Sequence, residues 1–129
     1  MSLTVSPSLL SKAQKGDVPL DDFLACIKGS LPYPWEIIAS LSERLEQTDA
    51  DHVDSDVQPP SEQARAQLLR LLASDSMRNS LERHYGMKIA FRNCGHVALF
   101  KKDRLGAEYE EFISPRSQIL NQRPELVDC

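Results

Sequence analysis

At Gly86 the hydrophobic pattern changes period, and that change limits what the chain can fold into. Before it, apolar residues recur at helical spacing; after it, Met87, Ile89 and Phe91 alternate with Lys88, Ala90 and Arg92. A period near 3.6 lays side chains along one stripe of a helix, whereas a period of 2 sends them to alternate faces of a strand. Helices must therefore be followed by a sheet. The expected fold class is α+β: several short helices packed on one face of a small three-stranded antiparallel β-meander over residues 87–113. The length of 129 residues suits one domain, 1–129.

The meander is read as three runs joined by two turns. The first run ends at Arg92, Val97-Ala98-Leu99-Phe100 forms the second, and Tyr109, Phe112 and Ile113 lie in the third. Asn93-Cys94-Gly95-His96 and Asp103-Arg104-Leu105-Gly106 supply the reversals, because asparagine and glycine tolerate the backbone angles of tight turns. The glutamates of "EYEEF" read as charges protecting an edge strand. Ser114-Pro115 opens a short helix within 114–129.

Upstream, helix boundaries are written in capping chemistry. Ser6-Pro7 starts a first helix and Gly16 stops it, within a helical part spanning 6–47. A second helix covers 20–28, with Phe23, Cys26 and Ile27 inward. Pro34 opens a third, which carries Ile37, Ile38, Leu41 and Leu45 at helical spacing. The segment 62–85 looks continuous until its phase is followed. Ala64, Leu68, Leu71 and Leu72 share one face, but Met77 and Leu81 fall nearly opposite. Ser74-Asp75-Ser76 sits at the break, so two helices are expected, 62–73 and 76–85, with Ser61 capping the first and Gly86 ending the second.

Residues 48–60 carry four aspartates and end in Pro-Pro, the composition of an exposed, mobile linker. Asp49, Asp51, Asp54 and Asp56 lack the central glycine and closing glutamate of a calcium loop. No apolar run approaches the ~20 residues of a membrane span, and the start of the chain lacks a secretory pattern. Three scattered cysteines do not suggest a disulfide framework. A cytoplasmic protein is expected.

Cys94 and His96, two positions apart, are the most reactive pair of residue types. Thiol catalysis needs a base beside the sulfur and donors for an oxyanion. The pair is a candidate catalytic site for a thiol-dependent enzyme, against the simpler reading of a turn. A zinc site would draw on Cys94, His96, His84 and Cys129, which lack paired ligand spacing, so no metal and no cofactor are expected.

The net charge of −4 disfavours a chain built to neutralise phosphates. The charge is uneven: residues 1–61 hold 4 Lys/Arg against 10 Asp/Glu, a net of −6, and the remainder nets +2. Arginines and lysines near Phe91, Phe100, Tyr109 and Phe112 give RNA or single-stranded DNA binding a disfavoured second place. By exclusion, the leading expectation is a non-enzymatic protein-interaction or regulatory module with a protein partner or self-association, a dimer through a sheet edge included. Tyr33, Trp35, Arg92 and Phe100 are its candidate contact residues.

Overall fold

The computed structural model describes residues 2–92 and 95–122. Helices α1 (Pro7–Gln14), α2 (Leu20–Ser30) and α3 (Pro32–Glu46) precede strand β1 (His52–Ser55). Helices α4 (Glu62–Leu72) and α5 (Asp75–Tyr85) lead into β2 (Met87–Arg92) and β3 (His96–Lys101). A 3-10 turn, Lys102–Arg104, then connects to α6 (Ala107–Phe112) and α7 (Pro115–Leu120). The class is α+β, with a three-stranded antiparallel sheet.

The caps act where the sequence places them. The hydroxyls of Ser6, Ser61, Ser74 and Ser114 each accept a backbone amide three residues on, satisfying donors that a helix start leaves open. Gly86 ends α5 with a φ of 69°, a left-handed conformation that costs glycine little. Two boundaries differ from expectation. α2 runs through Gly29 to Ser30, and α3 begins at Pro32, with the amide of Tyr33 donating to Gln67 Oε1 of α4 at 3.0 Å.

The sheet is not a meander. Its order is β1-β3-β2, so the last strand in sequence is the central one. Residues 52–55, read as part of a mobile linker, supply β1, pairing His52 with Phe100 through Ser55 with Val97. Around it the acidic loop is tied down by cations: Lys101 Nζ donates to the Thr48 carbonyl at 2.6 Å, and Arg104 donates to the Asp49 carbonyl at 2.6 Å. The expected third strand is α6. Tyr109 and Phe112 are three residues apart, a spacing that puts them on one side of a helix but on opposite sides of a strand. Both rings pack on Phe100, at centroid distances of 5.2 Å and 5.8 Å.

Helices consequently cover both sheet faces, not one. On the first face, Leu24 and Ile27 of α2, Ile38, Leu41 and Leu45 of α3, Leu68 and Leu71 of α4, and Leu81 of α5 join Ile89, Val97 and Leu99 in the main core. On the second, Ala90, Ala98, Phe100 and Phe112 form a much smaller cluster flanked by Tyr109. Burying one phenylalanine is worth about 2–3 kcal/mol, so so few apolar groups leave polar contacts a large share in holding α6 and α7. Among the described residues, no helix is long and apolar enough to cross a membrane.

Candidate functional site

Strand alternation sends His52 and Asp54 of β1, Arg92 of β2, and His96 and Phe100 of β3 to the second face. They converge beside α6 and α7. His96, 7% exposed, holds Asp54 Oδ2 with Nε2 at 2.6 Å, and its Nδ1 receives the Nε–H of Arg92 at 3.2 Å. A guanidinium only donates, so Nδ1 carries the lone pair and Nε2 carries the proton given to Asp54. Arg92 also lies over the Phe112 ring at 4.2 Å and donates to the Ser117 hydroxyl of α7. Five elements meet at this one imidazole–guanidinium contact.

Beside it, His52 stacks on Phe100 at 4.6 Å, and its Nδ1 lies 3.1 Å from Glu108 Oε2. That approach is close enough for an ion pair but is not aligned as a hydrogen bond. His52, Arg92, Ala107, Glu108, Glu111 and Phe112 line an open groove of about 350 Å³. Glu111 is paired with Arg116 at 2.8 Å.

The structure brings only part of the expected site together. Cys94 and Cys129 lie outside the described residues, so of the thiol–imidazole pair only His96 has a place. Both ring nitrogens of His96 are engaged, Nε2 with Asp54 and Nδ1 with Arg92. Arg92 sits in the junction, and Phe100 is fully buried beneath it. Trp35 is 9% exposed and belongs to the main core, with Tyr85 at 6.3 Å and His84 at 6.4 Å. His84 is thus on the side of the sheet away from His96. Among the described residues, no group of three or more metal-ligating side chains assembles. Asp54 holds His96, and Asp51 lies 3.4 Å from Arg104.

Tyr33 is half-buried beside a second groove, of about 330 Å³, with Ile37, Leu41 and Arg44 of α3 and Ser55 of β1. Burial raises its phenol pKa above the ordinary tyrosine value. Cys26 is half-buried, with Sγ donating to the Thr4 carbonyl at 3.4 Å. Asp54, Ser117 and the His52–Glu108 approach were not foreseen. The one local sign of them is "HVDS", where Val53 alternates with His52 and Asp54 as in a half-buried strand.

Comparison with known families gives one result. The model labelled KH NucS shadow, described as NucS shadow ORF, matches residues 1–129. The chain belongs to the NucS shadow ORF family. No curated protein and no solved structure matches it.

Proposed function

We infer that this member of the NucS shadow ORF family is a non-catalytic protein-interaction module of the cytoplasm, whose docking surface is the β1 edge and the adjoining Tyr33 groove. The observation that carries this reading is the unequal protection of the two sheet edges. On β2, the outward amide of Ile89 is taken at 2.8 Å by the buried carboxylate of Glu82. On β1, among the described residues, the outward carbonyl of Asp54 accepts from the exposed Arg44, at 3.3 Å. A strand edge offers ready-made backbone hydrogen bonds to an incoming extended segment, and neighbouring pockets select its side chains. The apolar sides of Ile37 and Leu41 supply such a pocket, and Arg44 can turn from the Asp54 carbonyl to an acidic side chain on the arriving segment.

Two other readings have less support. A KH module grips RNA with a Gly-x-x-Gly loop. The five glycines here, Gly16, Gly29, Gly86, Gly95 and Gly106, include no pair at that spacing. Phe100 and Phe112 are buried rather than offered for stacking, and Arg78, Lys88 and Arg104 already face carboxylates. A thiol enzyme would need a free nitrogen on His96.

Selection from a phage-displayed library of random peptides tests the inference. Enriched peptides are expected to bind the full chain, and Tyr33→Ala and Ile37→Glu should each weaken that binding at least about tenfold, as for central contacts of an interface. Peptides that bind equally well to both variants would overturn the docking surface. Thiol labelling of a Cys26→Ser/Cys129→Ser chain addresses the enzyme reading. The labelling midpoint of Cys94 is expected to be indifferent to His96→Gln, and a midpoint that moves on that change would overturn the non-catalytic role.

A further inference from the structure

The junction at His96 has a property that docking at β1 does not use. We propose that His96 is a proton-operated latch: its neutral ring holds α6 and α7 on the sheet through Arg92, and protonation at Nδ1 releases them. The neutral ring accepts the Arg92 Nε–H at 3.2 Å while donating to Asp54 at 2.6 Å. A proton on Nδ1 turns that acceptor into a donor and sets two cations side by side. The imidazolium keeps Asp54, so the contact that gives way is the one to Arg92. Arg92 in turn reaches both helices, over Phe112 of α6 and to Ser117 of α7. Among the described residues, the apolar contact beneath them is the small cluster of Ala90, Ala98, Phe100 and Phe112, flanked by Tyr109. The main core on the opposite face has no part in the latch.

The charged groups around His96 act in different directions. Asp54 on β1 favours the protonated ring, and Arg92 on β2 opposes it. His52, also on β1, faces Glu108 of α6 at 3.1 Å, and its protonation tightens α6 against the sheet. Glu111 of α6 is engaged by Arg116 of α7, and Lys88 of β2 is drawn to Glu82 at 3.4 Å. Release by His96 and tightening by His52 therefore oppose each other, and a test must separate them.

Hydrogen exchange of the full chain carrying His52→Gln does so, compared between pH ~7.5 and ~5.5, within the range where imidazole changes charge. After correction for intrinsic exchange, protection of amides in residues 107–120 is expected to fall about tenfold at the lower pH, the scale of one lost charge-assisted hydrogen bond. Protection in α3 and β3 should hold. Adding His96→Gln, whose amide can accept from Arg92 and donate to Asp54 without titrating, should abolish the pH dependence. Unchanged protection at low pH, or a drop that survives His96→Gln, overturns the latch. If His96→Gln does not fold, the His52→Gln chain alone decides through imidazole ¹⁵N shifts. Nδ1 must be bare at pH ~7.5, and loss of protection must follow its protonation curve. Midpoints that disagree overturn the proposal equally.

Discussion

The carboxylate of Glu82, on α5, accepts the backbone amide of Ile89 on β2 at 2.8 Å and so fills a hydrogen-bonding position that the outer strand would otherwise offer to another chain. Glu82 is 7% exposed and has Lys88 Nζ at 3.4 Å, so its charge is neither unpaired nor free to leave.

Glu82→Ala is expected to destabilise the fold by about 2 kcal/mol, since it leaves a buried amide without its charged partner. Glu82→Gln, which keeps an acceptor oxygen, should cost clearly less. Urea denaturation gives the stabilities. Light scattering should show more self-association in the alanine variant, because the β2 edge is then open.

Phe100→Ala should behave as a core truncation and cost about 3–5 kcal/mol. The ring is fully buried, with His52, Tyr109 and Phe112 around it. Thermal and urea unfolding would measure the loss. A variant of unchanged stability would mean that Phe100 is a surface contact residue after all.

Gln67→Ala is expected to cost about 1–2 kcal/mol, because the Tyr33 amide at the start of α3 loses its acceptor within a half-buried setting. The same change should raise exchange of the Tyr33 amide selectively, which hydrogen exchange can read residue by residue.

Tyr85 sets an alkaline limit. Its phenol pKa is raised first by burial and then by the charge of Glu36, so the folded state prefers the neutral ring. The unfolded chain ionises near the ordinary ~10. The resulting stability is present below that value and is lost as pH rises through the folded pKa. Tyr33, also raised by burial, contributes with the same sign. Urea midpoints measured from pH ~9 to ~11 should fall in the wild type across the range where tyrosine titrates. They should fall less in Tyr85→Phe, and least in Tyr33→Phe/Tyr85→Phe.

Much of the helical framework was legible because its signals are local. A serine three residues before the amide it caps needs no knowledge of the rest of the chain, and neither does glycine at a left-handed helix end. The phase break between Leu72 and Met77 likewise separates α4 from α5 in the sequence itself. The candidate site was legible only in fragments. His96 and Arg92 attracted notice as residue types, but their partners Asp54 and Ser117 lie 42 and 25 positions away in the chain.

By itself the sequence determined where helices start and stop and that a sheet follows Gly86, since both depend on hydrogen bonds and periodicities within a few residues. Only the tertiary structure decided that four residues of an acidic loop become β1 and that "EYEEF" becomes a helix. Segments so short have no stable conformation alone. β1 exists because Val53 and its neighbours pair with β3, and α6 exists because Tyr109 and Phe112 together can reach Phe100.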